Sequence, residues 1–390
     1  MGTVERLEFL GYARNDGRYG VRNAVLVLGL NGLVARAATR IAASVAATVP
    51  FASLYGRGQY GADRAAHAAQ MIGIARNPNV AATLVVGADR PTTDEFAHAI
   101  AVSNKPVAAI CLDDVDEDAI ELSVRGGRIA AELARSASRQ RRVPAPASAL
   151  FVAVECGHSD ATSGLVANPL AGRAVDRIVD AGGTAVFGET IEWLGAEHVL
   201  ARRAANPRVG EAIIAAVQRR EAAVAAVGLD LTGNNPGAEN LRGGLSSIEE
   251  KSLGAISKGG TRPIMGVIGV AEAPAAPGVY VMDAPGFSPE SMTGFVAAGA
   301  QIVLFTTGAG NSYCSAIAPT IKISARPETI RHLPTQIDFD ASAVFAGHED
   351  IDCAADRLVA LLLEVSSGTL TWGELLGETA ESVVRIGGSL

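Results

Sequence analysis

The chain has 390 residues, more than one hydrophobic core usually organises, so two domains are expected. Its 33 Lys and Arg against 41 Asp and Glu give a net charge of −8, which argues against a general nucleic-acid-binding surface because such a surface needs a basic face. With 48% hydrophobic residues the chain is expected to fold. No apolar run approaches the ~20 residues that span a bilayer, so no membrane segment is expected.

The cysteines and the start of the chain indicate the compartment. Four cysteines lie far apart and form no CxxC pair: Cys111, Cys156, Cys314 and Cys353. The first residues show no basic stretch followed by an apolar one, so no secretory signal is visible. A cytoplasmic protein with free thiols is therefore predicted.

Strands and helices alternate in the first part of the chain, which predicts a parallel sheet flanked by helices. Strands are predicted at 24–30, 83–87 and 106–111, and helices at 34–47, 65–75 and 116–139. Residues 139–148 are first charged and then rich in Pro and Ala, which is typical of a linker. The expected division is an N-terminal domain at 1–142, a linker at 143–148 and a C-terminal domain at 149–390.

The alternation resumes in the second part of the chain. Strands are predicted at 149–154, 184–187, 264–270 and 301–305, and helices at 171–180, 208–227, 289–299 and 350–365. The predicted fold class is α/β, with two domains of mainly parallel sheets flanked by helices in Rossmann-like layers. A lone Gly-x-Gly at Gly308 and Gly310 lacks the rest of a dinucleotide fingerprint, so no NAD site is expected.

Three polar, glycine-rich loops hold most candidate site residues, because ligands bind at the carboxyl ends of strands in open parallel sheets. The loop 155–164 contains Cys156, His158, Ser159, Asp160 and Ser163. The loop that begins at 232 contains Asn235 and leads to Glu249, and the loop 306–312 contains Thr306 and Thr307. Ser246 or Ser247 with Glu249 or Glu250 also matches a helix capping box, which is a purely structural explanation for Glu249.

Lysine is scarce in this chain, and its distribution is uneven. Only four remain beside abundant arginine, and three of them are Lys251, Lys258 and Lys322. Arginine keeps its proton in proteins, whereas a desolvated lysine can act as a base. We therefore predict that Lys251 or Lys258 is the catalytic base, in one pocket with the candidates of the loop 155–164, Glu249 and Thr307. Genomic composition bias is the alternative explanation for the scarcity of lysine beside abundant arginine.

Four groups of segments resemble the altronate/galactarate dehydratase family, which includes sulfolactate sulfo-lyase. They are 11–23, 155–169, 189–197, and 243–260 together with Met282, Asp283, Thr293, Gly294, 305–308 and 319–322. The resemblance covers nearly the whole chain and is to the family's large-subunit portion. It implies a lyase that removes a proton from carbon 2 and a hydroxide from carbon 3 of a sugar acid or related 2-hydroxy acid, leaving a 2-oxo acid. Release of another group such as sulfite, or a non-catalytic binding or regulatory subunit on the same fold, are the alternatives.

The resemblance also bears on a metal. Family members generally use a divalent metal, often iron. The family's usual cysteine motifs are replaced here by Arg57 and by Asp89 and Arg90, and His158 takes the place of a glycine. Because thiolates favour soft metals, we expect no tightly bound iron and at most a harder divalent ion near Cys156 and His158. Fixed positive charge from Arg57 and Arg90 is the alternative.

The remaining candidates concern substrate and partners. Predicted substrate contacts are Arg14, Arg18 and Arg22 for the carboxylate, with Ser163, Asn168, Asn235, Thr306, Thr307 and Lys322. A solvated basic loop is the alternative for the arginines. Relatives often carry a small β-rich domain ahead of the first motif, and only ten residues precede Gly11, so a separate small β-rich subunit is expected. The chain is also expected to form a homo-oligomer. The alternative to a separate small subunit is that this homo-oligomer is active without one.

Overall fold

A computed structural model defines the fold for residues 7–229 and 235–385. In the N-terminal part the strands are β1 Glu8–Ala13, β2 Tyr19–Gly20, β3 Ala24–Gly29, β4 Thr48–Ala52, β5 Val80–Gly87 and β6 Val107–Cys111. The helices are α1 Ala35–Ser44, α2 Gly61–Arg76, α3 Arg90–Ala101 and α4 Ala119–Ala137. Strands β3 to β6 form a parallel sheet in the order β4-β3-β5-β6.

The C-terminal part holds a larger sheet. The strands of the C-terminal part are β7 Val143–Pro146, β8 Phe151–Cys156, β9 Thr184–Phe187, β10 Ile264–Ile268, β11 Gly278–Met282, β12 Ile302–Thr306, β13 Cys314–Ser315, β14 Thr320–Ser324, β15 Phe339–Asp340 and β16 Thr379–Ala380. Seven of them form a parallel sheet in the order β10-β11-β9-β8-β12-β14-β15. The central strand β8 is thus flanked by β9 and β12, whose carboxyl ends lie at the same edge.

The helices of this part cover both faces of the larger sheet. They are α5 Asn168–Asp180, α6 Glu197–Arg202, α7 Pro207–Ala226, α8 Ala238–Arg242, α9 Ile248–Ile256, α10 Ser288–Ala297, α11 Pro327–His332, α12 Ser342–Phe345, α13 Ile351–Ser366 and α14 Trp372–Leu376. The predicted α/β class, with mainly parallel sheets flanked by helices, is confirmed. No helix among the described residues is both long and apolar enough to cross a bilayer.

The predicted linker at 143–148 is built into the fold. Its first residues form β7, which pairs antiparallel with β1, and β1 pairs with β2 in a three-stranded sheet. Strand β7 lies at the edge of that sheet, where Pro144 and Pro146 need not donate to a further strand. Composition predicted a linker here, and local sequence does not reveal that the early residues of the chain supply a partner strand for its first part.

An apolar core joins the two sheets. One cluster of buried side chains contains Leu28 of β3, Met71 of α2 and Phe295 of α10. Helices α2 and α10 approach so closely that a Cβ added to Gly73 would lie 2.4 Å from the carbonyl oxygen of Ala297. The two domains therefore share buried apolar surface, which holds them in a defined arrangement.

The predicted substrate arginines make structural contacts. Arg14 is buried and donates to the carbonyl oxygens of Pro78 and Arg22. Arg22 donates to both carboxylate oxygens of Glu374, at 2.6 and 2.9 Å, and to three carbonyl oxygens. Arg18 is more exposed and pairs with Asp16 at 2.7 Å. A guanidinium has five donors, and in Arg14 and Arg22 they satisfy carbonyl groups that regular structure leaves unpaired.

Replacing Arg22 should therefore cost stability and leave substrate affinity alone. The Arg22→Ala variant removes the bidentate ion pair with Glu374 and the hydrogen bonds to three carbonyl oxygens, so we expect a loss of about 2–4 kcal/mol and a fall of several degrees in the thermal unfolding midpoint. Differential scanning calorimetry measures it. The matched variant Arg18→Ala should lose less than about 1 kcal/mol, because its ion pair is solvent-exposed. An unchanged midpoint with a raised KM in Arg22→Ala would instead restore the substrate role.

Candidate functional site

Three glutamates and a cysteine meet at the carboxyl ends of β8 and β9. Glu155 and Cys156 are the last two residues of β8, and Glu189 and Glu192 lie in the turn that follows β9. All four side chains are buried, with Glu155 wholly enclosed. Burying three carboxyl groups is costly unless cations or protons compensate them.

Two lysines supply the compensating charge. The ammonium of Lys258 lies 3.0 Å from Cys156 Sγ, 3.2 Å from Glu192 Oε2 and 3.4 Å from Glu155 Oε1. The ammonium of Lys251 lies 3.2 Å from Glu192 Oε1. Glu192 thus bridges both ammonium groups. We call Glu155, Cys156, Glu189, Glu192, Lys251 and Lys258 the buried cluster.

Helix α9 and the turn after it position the two lysines. Ser247 caps α9 by accepting from the main-chain N–H of Glu250, and Glu250 accepts in return from Ser246. The sequence predicted a capping box here; the structure has the Ser247 cap, and Glu250 accepts from Ser246 rather than from the N–H of Ser247. Lys251 lies on α9, and Lys258 follows in the short helical turn Ser257–Gly259. Lys251 and Lys258 are seven residues apart, and both of their ammonium groups reach the carboxylate of Glu192.

The electrostatics of the buried cluster hold the lysines charged. Burial disfavours the charge of Lys258, but the acidic groups around it outweigh burial and raise its pKa well above the ordinary value. Burial likewise opposes the charge of Lys251, and Glu192 reverses the effect and raises its pKa. A base needs a lowered lysine pKa near neutral pH. The pKa values of both lysines are raised instead, which favours their charged forms over the predicted role as a base.

The carboxyl groups divide into two protonation states. Burial would raise the pKa of Glu192, but Lys258 and Lys251 outweigh it and lower that pKa to about 2. Burial and the neighbouring charges of Glu155 and Glu192 raise the pKa of Glu189 well above its usual range. Glu155 Oε2 and Glu189 Oε2 receive no hydrogen bond from another described residue. The raised pKa favours a proton on Glu189, which makes its buried carboxyl group a hydrogen-bond donor.

The backbone of Glu189 is strained, with a φ of 62° in the left-handed region. Residues without glycine's freedom adopt this conformation at a cost of ~1–3 kcal/mol, which the surrounding structure must offset. The conformation turns the chain immediately after β9, so that Glu189 and Glu192 both face Lys258. Strain of this kind is concentrated at functional sites.

The cluster also has the donors of a metal site. Ligand atoms of Glu155, Cys156, Glu189 and Glu192 all lie within 4.8 Å of one another and could hold a metal ion. Three carboxyl groups and one sulfur atom suit a fairly hard divalent ion. The ammonium of Lys258 lies among the same four groups, so it competes with a metal for their charge.

Cys156 is a member of this donor set, and His158 is not. His158 is exposed and its Nδ1 lies 2.8 Å from the carbonyl oxygen of Gly310, because the turn after β8 directs the imidazole toward the loop after β12. Of the two predicted metal ligands, Cys156 therefore belongs to the group that could hold an ion, and His158 lies outside it. Arg90 makes ion pairs with Asp94 and Asp114 in the N-terminal domain.

Several other predicted residues lie beside the cluster. Ser159, Asp160 and Asn168 line a cavity of about 10 Å³ together with Lys251. Asp160 Oδ1 accepts from the hydroxyl of Thr162 and from the main chain of Ser163, so these residues stabilise the turn. Lys251 also donates to Asn235 Oδ1 at 2.6 Å, which connects that loop to the cluster.

The remaining predicted residues have structural contacts. Thr306 donates to Asn168 Oδ1, and Asn168 donates to the carbonyl oxygen of Gly254, which ties β12, α5 and α9 together. Thr307 accepts from the main chain of Gly310. Glu249 is exposed, with its Cγ against Gly195. Lys322 is buried on β14, and its ammonium has no hydrogen-bond partner among the described residues. Of 232–235, only Asn235 lies within the described residues.

Sequence reasoning missed the three glutamates as site residues. Each was inside a segment that carried the resemblance or directly followed a predicted strand, but none was assigned a role. The available signal was a glutamate at the end of an apolar strand, as in Glu155, and two glutamates beside Trp193. Such placement indicates buried charge, which is costly and therefore points to a function or to a compensating partner.

Two family models together match most of the chain. The model described as D-galactarate/altronate dehydratase, C-terminal, matches 147–389, and the second-domain model of D-galactarate dehydratase/altronate hydrolase matches 11–138. The subunit beta of (2R)-sulfolactate sulfo-lyase from Chromohalobacter salexigens is 38% identical over 381 residues, covering 97% of each chain. Altronate dehydratase from Bacillus subtilis is 29% identical over 376 residues, covering 94% of this chain and 75% of that enzyme. Galactarate dehydratase from Escherichia coli is 31% identical over 285 residues, covering 73% of this chain and 53% of that enzyme.

The state of Cys156 provides a test of the electrostatics. Burial, reinforced by the charge of Glu192, raises the pKa of the Cys156 thiol to about 12. Since the thiolate is the nucleophile, iodoacetamide at pH 8 should leave Cys156 unmodified in the folded protein while the exposed Cys353 reacts. Mass spectrometry of peptides after timed labelling measures both. Labelling of Cys156 as fast as that of Cys353 would show that the cluster is open or the thiol ionised.

Proposed function

Because this chain belongs to the D-galactarate/altronate dehydratase family, we propose that it eliminates a leaving group from carbon 3 of a 2-hydroxy carboxylic acid at the buried cluster, giving a 2-oxo acid. The observation that carries the proposal is the pairing of a proton-holding glutamate with two fixed cations at the carboxyl ends of β8 and β9. Elimination needs both functions, a group that moves protons and positive charge that stabilises an enolate.

Proton transfer is assigned to Glu155 and Glu189. Glu189, whose pKa burial raises, can deliver a proton to the leaving group, while Glu155 can accept the proton from carbon 2. The bond from carbon 2 to hydrogen breaks, its electron pair forms the double bond to carbon 3, and the bond from carbon 3 to the leaving group breaks. The resulting enol then becomes the 2-oxo acid. The pair ends with one proton, as it began.

Charge stabilisation is assigned to Lys251 and Lys258. Negative charge develops on the substrate carboxylate as carbon 2 loses its proton, and preformed cations in a water-poor site stabilise it more than water does. Glu192 holds both ammonium groups in place, so we assign it a positioning role. A divalent ion held by Glu155, Cys156, Glu189 and Glu192 would supply further Lewis-acid stabilisation of the same charge.

The leaving group has two candidates. Water is the leaving group that the dehydratase relatives' names imply, and it is our first proposal for a sugar-acid substrate. Sulfite release from a sulfonated 2-hydroxy acid is the second candidate, because the match to the sulfo-lyase subunit covers 97% of both chains. That relative is named a subunit beta, which supports our proposal that a separate small subunit completes the enzyme. We also propose that the chain is cytoplasmic and forms a homo-oligomer.

Removing the cation at position 258 should abolish most activity. The Lys258→Met variant keeps the side-chain length but loses the charge, and we expect turnover to fall at least ~100-fold. The matched control is Lys105→Met, which removes a buried lysine that donates to the carbonyl oxygens of Ala75 and Asn77 in the N-terminal domain. That control should cost stability but leave turnover of the folded protein near normal. Equal turnover in Lys258→Met and the parent chain would remove the proposal.

A substrate panel decides the leaving group. We expect 2-oxo acid from at least one of altronate, galactarate and (2R)-sulfolactate, with sulfite released only from the last. Each assay is run on the chain alone and with fractions of the source lysate, since a separate subunit should raise the rate. Full activity that no fraction increases would rule that subunit out. No 2-oxo acid from any substrate, with fractions and divalent metals added, would favour a binding subunit instead.

A further inference from the structure

A second cavity lies in the N-terminal domain, at the carboxyl ends of its strands. In the order β4-β3-β5-β6, β4 lies on one side of β3. The next strand along the chain, β5, lies on the other side of β3, so the strand order reverses there. Ligands of open α/β sheets bind where the strand order reverses in this way. A cavity of about 190 Å³ lies there, lined by residues after β3, after β4 and at the start of α3: Asn31, Gly56, Gly58, Gln59 and Thr92.

Several hydrogen-bond donors of the cavity wall have no acceptor among residues 7–229 and 235–385. None of the main-chain N–H groups of 56–59 donates a hydrogen bond to a described residue. Asn31 is only 3% exposed, its Oδ1 accepts from the main chain of Leu33, and its amide nitrogen donates to none of the described residues. The loop N–H groups are exposed or half-buried, and the Asn31 side chain borders the cavity, so these donors are accessible to an acceptor that enters it.

Residues of α2 complete the lining. His67 is buried and its Nε2 lies 2.8 Å from Ser53 Oγ, which fixes the ring against the cavity. Gly56 has a φ of 98°, and an added Cβ there would lie 2.5 Å from the carbonyl oxygen of Leu30. Only glycine allows this loop to fold so tightly over β3, and the loop's N–H groups are then left beside the cavity.

Charged groups of both signs surround the opening. Arg64 and Glu95 line it and form an ion pair at 3.6 Å, with side chains 65% and 61% exposed. A pair this exposed contributes little, so an incoming anion can take the place of Glu95 beside Arg64. Asp63 Oδ2 already accepts a hydrogen bond from Gln59 Nε2.

We propose that this cavity binds a small anion through a carboxylate or phosphate group. The N–H groups of 56–59 and the Asn31 amide would receive its oxygens, and Arg64 would pair with its charge. The volume is below that of drug-sized ligand sites, which limits the ligand to inorganic phosphate or a short organic acid. The proposal stands independently of the activity of the buried cluster.

Isothermal titration calorimetry of the full chain tests the proposal, with inorganic phosphate and pyruvate as separate probes at low ionic strength. We expect at least one probe to bind, and the two arms distinguish a phosphate ligand from a carboxylate. Arg64→Met should weaken binding about tenfold, the loss typical of one charge-assisted hydrogen bond. Arg40→Met is the matched control, since Arg40 donates to Ser123 and Ala119 and does not line this cavity.

Two further variants locate the bound anion. Asn31→Asp introduces a negative charge of nearly the same shape and should abolish binding, and thermal midpoints confirm that each variant is folded. Lys258→Met should leave binding unchanged, which separates this cavity from the buried cluster. Absence of heat for both probes, equal affinity in Arg64→Met, or loss of binding in Lys258→Met would each overturn the proposal.

Discussion

The contact of Lys258 with Glu155, Cys156 and Glu192 is the interaction on which the described site depends. An ammonium that is 1% exposed would be costly to bury alone, and so would each carboxylate around it. Together they neutralise one another in a medium of low polarity. Removing one partner would leave an uncompensated buried charge, which explains why the carboxyl groups, the thiol and both lysines must be considered as one electrostatic unit.

Tight packing brings the lysine turn to the sheet. A Cβ added to Gly259 would lie 2.2 Å from the ring of Phe187, and one added to Gly172 would lie 2.2 Å from the carbonyl oxygen of Ser257. The turn after α9 therefore lies directly on β9 and α5 because neither glycine has a side chain. This closeness places Lys258 under the carboxyl ends of the strands and excludes water from the cluster, which strengthens every charge interaction within it.

Local patterns predicted the elements that carry their own signal. Strands β3 and β12 are continuous apolar runs, and their positions agree with prediction within one or two residues. Strands β11 and β14 were missed, because the first follows an Ala- and Pro-rich stretch and the second contains Lys322. The loop after β8 was correctly identified as lying at a strand end, but local sequence does not show that the pKa of Glu189 is raised. That property arises from burial and from charges brought together by tertiary structure, as do the raised lysine pKa values.

Infrared difference spectroscopy of the carboxyl C=O stretch tests the central claim most directly, since a protonated carboxyl group gives a band that an ionised one lacks. At pH 7 the folded chain should show bands of buried protonated carboxyl groups from Glu189 and in part from Glu381, whose pKa burial raises to about 7, and Glu189→Gln should lose the band that Glu189 contributes. Glu290, whose pKa is also raised by burial, provides the matched control variant Glu290→Gln, in which the band of Glu189 should persist. A spectrum without a protonated carboxyl band at pH 7, or one that Glu189→Gln leaves unchanged, would contradict the account.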